Sequence, residues 1–193
     1  MRKLLHLLAF FRGVVAFRFT ARDGTHVLFR EPSPRDAAQL MKFINAFVTE
    51  KRSGILINER VGLDEEKAWL RGVLADIRKR KGVMLLVDVD GEIMGNCDIN
   101  RLPWKSSHVA NLGIALSREI RGKGVGETLM TKTIELARKR MRGLEMLHIK
   151  AFAYNEKALA LYRRFGFVEV GRVPRANKEG KEYHDDVLMV KNL

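Results

Sequence analysis

Residues 109–141 read VANLGIALSREIRGKGVGETLMTKTIELARKRM, and the reading of this stretch decides the fold. Val109 to Leu116 is an apolar strand. Arg121-Gly122-Lys123-Gly124-Val125-Gly126 is a glycine-rich turn. Val125, Leu129, Leu136 and Met141 then recur on the inner face of a long helix. Glycines let a backbone approach a ligand closely and adopt conformations that other residues resist. A helix start presents unpaired N–H groups, and its dipole favours an anion. Arg121 and Lys123 add positive charge, so the hexamer reads as a pyrophosphate cradle. A dinucleotide fingerprint from Gly122 would need glycine at position 127, where Glu127 stands. The Gly-Lys-Ser/Thr of a P-loop is absent. The competing reading is an ordinary glycine turn with solvated charges.

Outward from this unit the chain alternates strands and helices irregularly. Val14 to Thr20 and Thr25 to Arg30 form a hairpin around Arg22-Asp23-Gly24. Ser33 caps a helix with Pro34 at its first position, and Ala37, Leu40, Met41, Ile44 and Val48 recur at helical spacing. Residues 51–62 form a polar loop, and Asp64 caps a second helix facing inward through Leu70, Val73, Leu74 and Ile77. Val83 to Val89, a turn at Asp90-Gly91, and Glu92 to Arg101 make a second hairpin. Met146 to Phe152 is a strand. Asn155 caps a short helix that Gly166 stops. Phe167 to Val173 and Tyr183 to Val190 are strands flanking a turn at Asn177 to Gly180. The order predicts an α/β fold with a mixed sheet and a strand–helix–strand unit at its centre.

The 193 residues suit one domain: residues 1–24 as an extension that includes the first hairpin strand, and 25–193 as the main unit. The short apolar run Leu4 to Phe11 is followed by Arg12 and Arg18, which argues against a cleaved leader, and it is too short to span a bilayer. Cys97 is the only cysteine, so no internal disulfide exists and a reducing, cytoplasmic setting is expected. The formal charge of +13 favours anionic partners, a ribosome or RNA among them, beyond what one phosphorylated ligand requires. Few aromatic residues interleave with the basic ones, so stacking on single strands is not indicated. No histidine or cysteine cluster has metal-ligand spacing, and a homodimer is compatible with the sequence.

The 121–126 segment resembles the Arg/Gln-x-x-Gly-x-Gly/Ala motif of the GNAT superfamily of N-acetyltransferases. A second stretch, Asn155-Glu156-Lys157-Ala158 through Tyr162 to Gly166-Phe167, is similar to the family's Asn-x-x-Ala-x-x-x-Tyr-x-x-x-Gly-Phe. The resemblance runs from roughly Thr25 to the carboxyl end. Segments 107–114 and 180–189 look most like the subgroup that acetylates amino acids or protein amino termini. It implies a mostly antiparallel sheet with splayed central strands and acetyl-CoA as acyl donor. It also implies that Ile114 and Leu116 pair with the pantetheine arm, the Leu116 amide bonding the thioester carbonyl. Residues Arg121, Gly122, Lys123, Gly124, Val125 and Gly126 would hold the pyrophosphate. Asn155 would contact the cofactor arm, although asparagine is also a preferred helix cap. Tyr162 would act as general acid toward the departing thiolate.

The general base is not assigned by the motifs. Several relatives place glutamate five residues before the asparagine, where this chain has Lys150. A lysine is a poor base unless its pKa is strongly lowered. Asp98, His108, Glu59 and Asp185 are the other candidates, acting directly or through water. Cys97 has no visible thiolate-activating context, so direct transfer in a ternary complex is expected. The alternatives are a lysine or polyamine acetyltransferase, and a basic acyl-CoA-binding or RNA-docking module without catalysis.

Overall fold

The computed structural model describes residues 16–193, so the Leu4–Phe11 run lies outside the described residues. The strands are β1 Ala16–Thr20, β2 His26–Arg30, β3 Gly82–Val89, β4 Glu92–Arg101, β5 Val109–Leu116, β6 Met146–Phe152, β7 Val168–Glu179 and β8 Glu182–Asn192. The helices are α1 Ala37–Phe47, α2 Leu63–Arg78, α3 Val125–Arg140 and α4 Glu156–Arg164. All eight strands form one sheet in the order β1-β2-β3-β4-β5-β6-β8-β7. Every neighbouring pair is antiparallel except β5 and β6. The predicted α/β class with a mostly antiparallel sheet is what the chain adopts. β1 pairs with β2 along its whole length, so the first hairpin is continuous with the sheet.

The sheet carries a core on each face. One joins Val83, Leu85, Cys97, Ile99 and Leu112 to Leu129, Met130 and Ala137 of α3 and Leu159 and Tyr162 of α4. The other joins Met84, Leu86 and Ile93 to α1 and α2. The unbroken apolar run of β3 follows from this, because a strand covered on both faces has no solvent side to alternate with. Fully burying one such aliphatic side chain contributes about 1.5–3 kcal/mol.

Several boundaries differ from the sequence reading. α1 buries Phe43 and Phe47 beside Ala37 and Leu40, whereas Met41, Ile44 and Val48 lie at its margin. α2 is capped at Gly62, whose amide donates to the Glu65 carboxylate at 2.7 Å, and Asp64 lies inside the first turn. β7 and β8 run on past Val173 and begin before Tyr183, with the turn at Gly180. An irregular pairing between Val173 and Asn177 hides the alternation there.

The feature that positions the site is a split in the middle of the sheet. β5 and β6 pair only from Val109↔Met146 to Asn111↔His148. β4 and β5 remain paired as far as Gly95↔Leu116, and β6 and β8 as far as Phe152↔Asp186. Beyond Asn111 the two central strands therefore part, each held by its outer neighbour.

Candidate active site

The split exposes backbone in a defined direction. The Ser117 amide donates to the Met94 carbonyl of β4 at 2.8 Å. Backbone polar groups alternate sides along an antiparallel pair, so those of Leu116 and Ile114 point away from β4 and into the gap. The side chains of both residues pack on the α3 face of the sheet.

The glycine turn lies at the mouth of this gap. Gly122 and Gly124 have φ of +76° and +86°, a region that costs side-chain-bearing residues energy. Gly124 is the N-cap of α3 and supplies no side chain, which leaves the first-turn amides facing outward without a side-chain cap. Val125 is fully buried, so only its backbone serves the turn. A Cβ on Gly126 would lie 3.1 Å from Leu116 Cδ1 and 3.9 Å from both Ile114 Cδ1 and Leu161 Cδ2. Its lack of a side chain lets α3 start directly against β5 and α4. The turn thus suits a diphosphate: open backbone at Gly122 and helix-start amides without a side-chain cap.

The charges of the turn are partly spoken for. The Arg121 guanidinium donates from Nε to the Leu116 carbonyl at 2.7 Å, forks onto Glu50 at 2.5 and 3.1 Å, and stacks over Phe47. It props the turn against α1 and β5. Lys123 pairs with Asp23 at 2.7 Å, and this lysine holds the Asp23 carboxyl down at about 2. The Arg22 amide donates to the Lys123 carbonyl at 3.0 Å, and Arg22 Nε lies 3.5 Å from where a Gly124 Cβ would be. The tip of the β1–β2 hairpin therefore leans on the turn. The sequence shows the hairpin but carries no signal of where its tip lands.

The second motif lies at the start of and along α4, whose Leu161 Cδ2 is 3.9 Å from where a Gly126 Cβ would be. Asn155 Oδ1 accepts the Ala158 amide at 3.3 Å, the helix-cap role. Its Nδ2 faces Gly54 of the loop after α1, where a Cβ would be only 2.7 Å away. Tyr162 is 5% exposed, and its ring packs on Phe167 at 6.1 Å between centroids. Burial, with Cys97 alongside, pushes the Tyr162 hydroxyl up, so it keeps its proton through the working pH range. Cys97 is fully buried and its thiol is likewise pushed up by burial, which makes it a core residue and not a nucleophile.

The candidate bases separate clearly. Asp98 of β4 lies opposite Gly113, on the face of the sheet away from α3. It accepts from Asn96 Nδ2 at 3.3 Å and Asn100 Nδ2 at 2.5 Å, and burial pushes it up to about 6. His108 is exposed at the other end of β5, roughly 20 Å from Ile114 at ~3.3 Å per residue. Glu59 is exposed in the loop after α1. Asp185 accepts the Arg175 amide at 2.8 Å and holds the β7–β8 irregularity together. Lys150 is half-exposed and pairs at 2.8 Å with the buried Asp186.

Residues 49–167 match the model of the acetyltransferase (GNAT) family. An L-amino acid N-acetyltransferase from Escherichia coli (strain K12) is 29% identical over 115 residues, 58% of this chain and 70% of its own. The solved ribosomal-protein-alanine N-acetyltransferase from Brucella melitensis superposes with a TM-score of 0.75 at 25% identity, covering 86% of this chain and 99% of its own. The phosphinothricin acetyltransferase from Sinorhizobium meliloti, solved in complex with acetyl-CoA, superposes with a TM-score of 0.74. It is 17% identical over 91% of this chain and 89% of its own, a likeness of fold alone.

Proposed function

Since this chain belongs to the GNAT family of acetyltransferases, we propose that it transfers the acetyl group of acetyl-CoA to the α-amino group of an amino acid or of a protein amino terminus. The observation that carries the reading is the split between β5 and β6, with the glycine turn at its mouth and Asp98 paired opposite Gly113 of β5. The amides of the 121–126 turn and of the first turn of α3 receive the pyrophosphate. Ile114 and Leu116 pair with the pantetheine arm through their backbone, and Asn155 Nδ2 adds a donor. Acetyl-CoA supplies the thioester carbonyl that the amine attacks. The Leu116 amide stabilises the carbonyl oxygen as it gains negative charge. Tyr162 gives its proton to the departing thiolate.

Asp98 takes the proton from the amine. It stands three residues along from the Gly95–Leu116 pairing, about 10 Å at ~3.3 Å per residue, so the proton travels through water. A carboxylate with a pKa of about 6 is about nine-tenths ionised at pH 7. That base lies about 2 units below an α-ammonium and more than 4 below a lysine ammonium. The lysine therefore needs about 3 kcal/mol more to lose its proton, which selects the α-amine.

Two peptides test this, one with a free amino terminus and a blocked lysine, the other with the reverse, assayed from pH 5 to 9. The α-amino peptide reacts faster throughout. Its log kcat/KM falls with unit slope below about pH 8 and steepens below about 6, where Asp98 is protonated. Asp98→Asn lowers the rate on the order of 10²-fold and removes the second break. Faster acetylation of the lysine peptide overturns the acceptor assignment. An unaltered profile in Asp98→Asn moves the base elsewhere.

A further inference from the structure

β5 and α3 place opposite ends of the molecule in register. The transfer site lies where β5 ends and α3 begins. The far end is made by the C-termini of α2 and α3 and by the loop between β4 and β5. These pieces are tied together: the Arg101 amide donates to the Lys81 carbonyl at 2.9 Å, and the Arg101 guanidinium donates to the Ser107 carbonyl and, at 2.8 Å, to the Arg142 carbonyl. A groove of about 330 Å³, lined by Ile77, Arg78, Arg80, Lys139 and Arg140, runs between the two helix ends.

This end carries a dense field of cations. The run Arg78-Lys79-Arg80-Lys81 is exposed throughout, as are Lys105, Arg138, Lys139 and Arg142. Arg140 is paired with Glu31. Among the described residues, no other cation of 78–81, 101–105 or 138–142 has an ion-pair partner. Cations in the last turn of a helix complement its dipole, which accounts for Arg78 and for Arg138 to Arg140. That effect fades beyond the last turn, and Arg80, Lys81, Lys105 and Arg142 lie past the helix ends. Together they make a positive field that attracts an anionic partner.

A second observation specifies the counter-charge. Trp104, beside Lys105, is 89% exposed and has φ of +54°, a conformation that bulky residues avoid. The sequence reading expects few exposed aromatics among the basic residues, and this indole is the departure from it. Within 78–81, 101–108 and 138–143 it is the one exposed large hydrophobic residue. A bilayer surface would take up a broad apolar helix face, which this end lacks. An indole standing alone in a field of cations matches an unpaired base flanked by phosphates.

We propose that this end of the molecule is a docking surface for RNA, with phosphates along the groove between α2 and α3 and an unpaired base stacked on Trp104. The surface is separate from the transfer site, and the proposal does not depend on which amine is acetylated. Anisotropy of a labelled RNA hairpin with a single-stranded tail tests it between about 50 and 200 mM salt. Affinity falls with salt, with a slope of roughly −0.7 per phosphate contacted in the single strand. The triple variant Arg80→Glu, Lys81→Glu, Arg142→Glu binds more than tenfold more weakly. Trp104→Ala binds the tailed RNA about fivefold or more weakly and a fully paired RNA almost unchanged. Both variants keep the parent's circular-dichroism spectrum and acetyl-CoA affinity, which reports an intact fold. Unaltered RNA binding in the triple variant overturns the proposal. So does equal binding to heparin or to phosphatidylserine vesicles with no dependence on Trp104, which would make the surface a general polyanion or membrane contact.

Discussion

Tyr162→Phe slows acetyl transfer on the order of 10²-fold or more and leaves acetyl-CoA affinity and the fold intact. The substitution removes one oxygen from a ring that is 5% exposed and packed on Phe167. The packing that holds α4 against the sheet therefore survives. On the proposed mechanism what is lost is a proton donor, and burial holds the hydroxyl in its protonated form. The effect belongs in kcat and not in the dissociation constant for acetyl-CoA, because the hydroxyl acts on charge that develops during the reaction. Single-turnover kinetics with each variant measures it. An unchanged chemical step would mean that water or another group protonates the thiolate.

Gly124→Asp weakens acetyl-CoA binding on the order of 100-fold. Two costs coincide there. The residue sits at φ +86°, where a side chain strains the backbone. Its new Cβ would itself fit, in ordinary contact with Arg22 at 3.5 Å from Nε and Phe19 at 3.8 Å from Cζ. Its carboxylate would set a negative charge at the helix start proposed to receive the pyrophosphate. Gly124→Ala separates these: it keeps the strain without the charge and is expected to lose less. Calorimetry on both variants gives the comparison. Parent-like affinity in Gly124→Asp would remove the pyrophosphate from this turn.

The part of the fold legible in the sequence is the part set by local rules. Asp90-Gly91 between two apolar runs, Gly122 and Gly124 before a helix, and Asn155 ahead of Ala158 each specify their own geometry within a few residues. The faces and boundaries that the sequence reading misplaced depend on neighbours. Phe43 and Phe47 are chosen as the buried face of α1 because Met84, Leu86 and Ile93 wait beneath it, which helical spacing alone does not tell. At the site, motif spacing marks the turn and Tyr162, but it carries no trace of Glu50 taking the Arg121 guanidinium from 71 residues away. Nor does it reveal the hairpin tip resting on Lys123. Asp98 stands apart from His108, Glu59 and Asp185 only once the sheet buries it between two asparagines. Nor does motif spacing show that Lys150 pairs with Asp186.

The most direct test of acyl transfer is the stoichiometry of one reaction. Acetyl-CoA is mixed with the protein and a peptide bearing a free α-amine, and free thiol, acetylated peptide and acetylated protein are counted together. Transfer in a ternary complex predicts one thiol released per N-acetylated peptide, no release without the amine, and no acetyl group on the protein at Cys97. Thiol release without amine, acetylated Cys97 on the path to product, or tight acetyl-CoA binding with no release toward any amine would contradict it.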